Sequence, residues 1–328
     1  IKSNAIMNLM RNINLKSFLY LSLMFLSLTA CGGDDDENGN GGTSERNDNK
    51  NTAYTDNAAT RIEVPHLQGG NSKFIVYRTS NKAFDKDGVN YCVEWDRKLK
   101  ANRWTCYIMT SSNSKKNVSR WYADKGELQY PFDTSNLSMS DYYTKSNGED
   151  CISGSGFDHG HLCPSNDRLY SSDVNKQTFY LTNMQPQYKE FNGSSSEHKY
   201  KGLWINMENW IYNFVQSNRF GSTDTLFICK GGTIDNESQI LMRKNNIIVP
   251  KYFYAAIVWK RSNMNIYSGI AFWYEHTKVF HDDSPKAYAI SINELEKKLG
   301  NKIDFFCNLP DKIESSVEKT AATIDFGF

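Results

Sequence analysis

Phe157-Asp158-His159-Gly160-His161-Leu162-Cys163-Pro164-Ser165-Asn166-Asp167-Arg168 puts two imidazoles and a carboxylate within four residues, around a glycine and ahead of a proline. Gly160 permits close backbone approach or positive φ, and Pro164 ends any regular pairing that precedes it. Histidine has an unperturbed pKa of roughly 6.5, so either imidazole can act as a general base near neutral pH. Taken alone, a His-x-His pair in a loop equally suits a hydrogen-bonded surface turn or a weak transition-metal site. Its neighbours have to decide.

Downstream, Thr178-Phe179-Tyr180-Leu181-Thr182 reads as a strand of β-branched and aromatic residues. It runs into Asn183-Met184-Gln185-Pro186-Gln187 and then Phe191-Asn192-Gly193. Trp204, Met207, Ile211, Phe214 and Val215 recur at helical spacing, predicting an amphipathic helix over about 201–216. A histidine loop, a strand and a helix therefore follow one another closely.

Upstream, the β-rich runs 73–77, 89–95 and 103–109 read as a meandering sheet. The polar stretch 110–156 is of a length that usually serves or supports a site. Toward the C-terminus, 252–259 and 267–274 predict a hairpin, whose consecutive large residues imply strands buried on both faces. Ser291 with Glu294 makes a capping box for a helix through Leu299, and Gly300 stops it. No internal repeat is evident.

In order along the chain, several motifs resemble the DNA/RNA non-specific endonucleases of the ββα-metal (His-Me finger) superfamily. They are Asp158-His159-Gly160-His161, where the family writes Asp-Arg-Gly-His; Leu162 to Arg168; Phe179 to Gln187; Phe191-Asn192; and Trp204 with Glu208. Gly231-Gly232-Thr233 and Phe305-Phe306-Cys307-Asn308-Leu309-Pro310 look similar too, so the likeness runs roughly over 73–318. It implies an α+β fold, a mixed α/β domain with an antiparallel sheet carrying a ββα-metal site. It also implies sequence-non-specific hydrolysis of DNA and RNA that leaves 5′-phosphate ends.

The chemistry needed is a base to activate water and a cation to take up charge on the phosphoryl oxygens and the departing 3′ oxygen. By resemblance His161 is the base and Asn192 the metal ligand. An amide oxygen is a hard donor suited to Mg²⁺, which keeps most of its waters, and Mn²⁺ or another divalent cation is an alternative. Glu208, one turn beyond Trp204, either holds a metal-bound water or is a solvated helix carboxylate. Asp158 either orients the loop or the base or caps a turn. Arg120 and Arg168 are the arginines nearest the motif; each can grip phosphate or pair with a surface acid.

Three departures from the family pattern stand out. His159 replaces the family arginine, exchanging a permanent cation for one mostly neutral above pH 7. Residues 193–200 intervene between Asn192 and the helix; a gapless alignment would put Tyr200 at the ligand position, but tyrosine is a poor Mg²⁺ ligand, which favours Asn192. Tyr212 stands four residues beyond Glu208, where some members carry an arginine.

At the other end, Arg11 and Lys16, the apolar run 17–30 and Leu28-Thr29-Ala30-Cys31 read as an export signal over 1–31 that ends like a bacterial lipobox. The resemblance implies a lipidated Cys31 and a membrane contact through that lipid alone. Asp34-Asp35-Asp36-Glu37 and the polar residues through 60 predict a disordered tether, with an enzyme domain over 61–328. An acidic run behind a lipobox looks like the export signal of Bacteroidetes surface lipoproteins and implies an outer-membrane or cell-surface location. Net charge is +1 for the whole sequence, and 61–328 holds 33 basic against 30 acidic residues, too mild a balance to indicate nucleic acid by itself. Beyond Cys31 six cysteines remain, an even number that permits disulfides in an exported protein. Cys92 and Cys106 fall on two runs able to form a hairpin, and no spacing matches a zinc module.

Overall fold

A computed structural model of the chain describes residues 45–52, 56–193, 201–281 and 283–328. The export signal with Cys31, the tether over 32–44, and Tyr200 with its insertion lie outside the described residues.

In chain order, β1 (Ser72–Arg78), β2 (Val89–Asp96) and β3 (Ala101–Met109) form the expected meander. The long polar segment leads to β4 (Asp158–His161) and α1 (Ser172–Gln177). Next come β5 (Met184–Gln187), α2 (Lys189–Asn192) and α3 (Leu203–Val215). β6 (Thr225–Gly232) returns to the sheet, β7 (Ile240–Lys244) and β8 (Ile247–Pro250) make a small hairpin, and β9 (Tyr252–Arg261) and β10 (Ile266–Glu275) make the long one. β11 (Ala289–Ile290), α4 (Ile292–Lys298) and α5 (Asp311–Glu318) finish the chain. The main sheet runs β1-β2-β3-β6-β9-β10-β11 with every pairing antiparallel. This is the α+β class expected.

The strands are apolar at both parities because both sheet faces are covered. Tyr91, Tyr107, Ile228, Phe253 and Ile257 pack with Trp204, Met207 and Ile211 of α3. Their strand neighbours Cys92, Cys106, Cys229, Tyr254 and Ala256 pack with Ile292 and Leu295 of α4 and Val317 of α5. The described cysteines beyond the tether are all buried thiols; Cys92, Cys106 and Cys229 fill this second core as small apolar side chains, Cys92 facing Cys106 and Cys106 facing Cys229 across adjacent strands.

The structure corrects three expectations. The histidine stretch is not a loop: Asp158–His161 is itself a strand, paired antiparallel with Met184–Gln187 in a two-stranded ribbon. Residues 178–182 are not a strand. Thr178 caps α1, its hydroxyl donating to the Asn175 carbonyl at 2.7 Å, and Leu181–Asn183 is a 3₁₀ turn. Asn183 overrides β propensity there. Its amide donates to the carbonyls of Cys163 (2.9 Å) and Thr178 (2.8 Å), and its oxygen accepts from the Cys163 N–H (2.8 Å).

The third correction is the tether, which gives way to packed chain by residue 45. Asn51 is 2% exposed and donates to the carbonyls of Ala59 and Pro65, while Asn308 donates to the carbonyls of Ala59, Arg61 and Val64. Asparagine is turn-forming in composition, but its amide can also staple backbone, and here it does so. Gly202, by contrast, is dictated by space: a Cβ there would lie 2.1 Å from the Phe191 carbonyl oxygen, so glycine lets α3 start directly against α2.

Candidate active site

The β4–β5 ribbon and α2 and α3 behind it surround a polar cavity of roughly 520 Å³, lined by Arg120, Tyr130, Asp158, His159, His161, Asn192 and Glu208. Of these polar groups Tyr130 alone was not singled out from sequence. The two histidines, two residues apart on one strand, leave the same face of the ribbon. Gly160 between them faces Gln187 of β5 so closely that a Cβ would sit 2.3 Å from the Gln187 Cδ, which keeps the ribbon tight under both imidazoles.

His161 is held from behind. The Trp204 indole N–H donates to the His161 carbonyl at 3.1 Å, and the Phe179 ring meets the imidazole edge-on at 5.1 Å. Burial first, then the charges of Arg120 and His159, push its pKa down to about 3 against a hydrogen bond to the His159 backbone. The ring is therefore neutral at physiological pH, and its Nε2 is buried with no hydrogen-bond partner. An unprotonated base with an unused lone pair in a polar cavity fits proton abstraction.

Asn192, at the end of α2, donates its Nδ2 to the Asp158 carboxylate at 3.3 Å. Asp158 therefore orients Asn192, and the amide oxygen is left as the acceptor. His159 is fixed on both sides. Its Nε2 pairs with Asp150 at 2.9 Å, and its ring stacks on Tyr130 with centroids 3.8 Å apart. Burial would raise the Asp150 carboxyl, but the hydrogen bond and charge of His159, with donors from Ser153, hold it down at about 2.

Glu208 is not a solvated helix carboxylate. Its side chain is 12% exposed and lies 3.5 Å from the Nζ of Lys230, which is wholly buried on β6. Burial pushes Glu208 up to about 7, and Lys230 opposes the rise. Arg120 is exposed, donates to the Ser165 hydroxyl at 2.6 Å and lies over the Phe179 ring at 4.7 Å, so its charge borders the cavity. Arg168 corrects expectation: it is wholly buried, donates to the carbonyls of Asp167, Asn90 and Ile108, and stacks on Tyr107, out of reach of any phosphate.

Sequence reasoning missed Tyr130, Asp150 and Lys230. The first two come from the long polar segment, whose length was the one hint. The third was visible only as a lysine inside the otherwise apolar run Leu226-Phe227-Ile228-Cys229-Lys230-Gly231.

The sequence model of the DNA/RNA non-specific endonuclease family matches residues 72–312. A Nuclease from Nostoc sp. is 30% identical over 175 residues, covering 51% of this chain and 56% of its own length. Nuclease 1, mitochondrial, from Schizosaccharomyces pombe is 27% identical over 167 residues, covering 48% of each chain. The chain thus spans about half the length of these curated relatives. A chain in a crystal structure of the EndoG/EndoGI complex superposes with a TM-score of 0.53 at 18% identity, covering 73% of this chain and 89% of that one, so the two share a fold.

Proposed function

The chain belongs to the DNA/RNA non-specific endonuclease family, and from that premise we propose that it hydrolyses phosphodiester bonds of DNA and RNA with little sequence preference. The observation that carries this reading is the buried, unpartnered Nε2 of a neutral His161 in a polar cavity shared with Asn192 and Glu208.

In this reading His161 Nε2 takes the proton from the attacking water, contributing roughly 10²–10⁴-fold to the rate. The donor set fits a hard cation: Asn192 presents its amide oxygen because its Nδ2 donates to Asp158. A Mg²⁺ ion, or Mn²⁺ in its place, held by Asn192 would neutralise charge on the phosphoryl group and on the leaving 3′ oxygen. Glu208, with its charge balanced by Lys230, accepts hydrogen bonds from water at the cavity's inner wall. Arg120 grips the phosphate backbone at the rim, and His159, clamped by Asp150 and Tyr130, stands where the family carries arginine. The products carry 5′-phosphates.

The same proposal places the protein outside the cytoplasm as a lipoprotein anchored by Cys31 at the outer membrane or cell surface, taking up extracellular nucleic acid as a nutrient source. The charged, apolar and lipobox-like order of residues 11–31 supports this location.

Plasmid DNA and RNA incubated with the protein, with Mg²⁺ or with chelator, test the reading. Cleavage is expected only with the metal, and His161→Ala and Asn192→Ala are each expected to lower it by about 10²-fold or more. Polymers left intact from about pH 5 to 9 with either Mg²⁺ or Mn²⁺ would defeat it. Binding that falls with salt but leads to no cleavage would instead identify a surface nucleic-acid-binding lipoprotein.

A further inference from the structure

The sheet face opposite the cavity carries a second constellation of acids. Glu296 on α4, Asp304 in the turn beyond it and Glu318, the last residue of α5, bring one carboxylate oxygen each to within 4.8 Å of one another. Glu314 lies one helical turn before Glu318 on α5 and is 6% exposed. None of the ion pairs among the described residues includes any of these four acids.

Three of the four acids each accept a hydrogen bond. Glu296 Oε1 accepts from the Phe305 N–H at 2.9 Å, and Asn49 Nδ2 donates to Asp304 at 3.1 Å and to Glu314 at 2.8 Å. Glu318 is only 7% exposed, and its buried Oε1 has no hydrogen-bond partner. A buried carboxylate among like charges must hold a proton or a cation. Burial first, and then mutual repulsion, push Glu318 up to about 9, whereas Glu296 and Glu314 rise to about 7.

We propose that Glu296, Asp304 and Glu318 form a divalent-cation site, separate from the cavity at His161 and Asn192, that takes Ca²⁺. All the donors are hard oxygens from three different stretches of chain. Ca²⁺ accepts six to eight such oxygens in irregular geometry, whereas Mg²⁺ demands a near-ideal octahedron. The Asn49 Oδ1, also buried and without a partner, lies beside the group. The cation would lock α4, the turn at Asp304 and α5 together and, through Asn49, hold the segment 45–52 on the domain.

Calcium-dependent stability of the full chain, carried on Asn192→Ala to remove the cleft's own ligand, tests this. After chelation, Ca²⁺ at about a hundredfold above its Kd is expected to raise Tm by about 5 °C. Glu318→Gln, neutral and nearly isosteric, should abolish that increment, whatever it does to the calcium-free Tm. With Asn192 intact, Glu318→Gln should leave Mg²⁺-dependent cleavage unchanged. Glu296→Gln gives the same readout if Glu318→Gln does not fold. An equal increment in the Gln variants would overturn the site. No increment in the parent would overturn it too, leaving the acids to share protons.

Discussion

Arg120 and Arg168 carry the same charge, flank the same motif and have opposite tasks. Arg120 is exposed at the cavity rim, whereas Arg168 spends its guanidinium on three backbone carbonyls inside the core. Arg120→Ala is therefore expected to weaken nucleic-acid binding uniformly across sequences and to reduce the slope of log K against log salt by about 1, leaving the melting temperature near that of the parent. Arg168→Ala leaves three carbonyls without their donor and should cost about 3 kcal/mol or more in urea unfolding, with any loss of cleavage tracking the unfolded fraction. An Arg168→Ala protein that is fully stable but binds poorly would reverse the assignment. Lys230 follows the same logic as Arg168: a lysine is wholly buried only where a partner such as Glu208 exists.

Between elements, His276 links α2 to the small hairpin. Its Nε2 accepts from the Tyr188 N–H at 2.7 Å, just before α2, and its Nδ1 donates to the carbonyl of Pro250 at the end of β8 at 2.9 Å. Burial pushes its pKa down to about 4, against the pull of the Pro250 hydrogen bond, and His161 lies lower still at about 3. In the unfolded chain both revert to roughly 6.5. Between those values each imidazole binds more protons in the unfolded state, so the stability these two groups contribute is full above about pH 6.5 and falls as pH drops toward 4 and 3. The raised carboxyls of Glu208, Glu296, Glu314 and Glu318 act in the opposite direction, so the imidazole's share is read against a variant: the excess of the parent's urea midpoint over that of His276→Gln is expected to be smaller at pH 5 than at pH 7.5. An excess that is the same at the two pH values would show that the fold does not hold His276 neutral. The ribbon itself illustrates how an element can be misread. Residues 178–182 have strand composition, yet Asn183 ties them into a turn, and the strand that pairs with the histidines starts two residues after 182.

At the scale of the molecule, the sheet is closed on one face by α3 and on the other by α4, α5 and the segment beginning at Glu45. Ala58 and Ala59 are 4% and 0% exposed and belong to the second core, and Asn51 is hydrogen-bonded into it. A protein beginning at residue 61 is expected to melt several degrees below one beginning at residue 45, since it exposes this apolar surface and takes from Asn308 the Ala59 carbonyl and the Asn51 N–H it bonds. Identical melting curves would show that 45–60 adds nothing. Strands β1, β2, β3, β9 and β10, the amphipathic helix, the capped helix at Ser291 and the ordered motifs around His161 and Asn192 were legible in the sequence. Periodicity, capping and motif order are local properties that a linear chain states directly. Composition alone was ambiguous wherever a side chain's task depends on what lies opposite. A polar asparagine-rich stretch can be tether or staple, an arginine can grip phosphate or backbone, and a glutamate can face water or a buried lysine. Those choices were made by the tertiary structure, because the energy of a charge or an amide is set by its desolvation and its partner, and Glu208 and Lys230, or His159 and Asp150, meet only when the fold brings their strands and loops together.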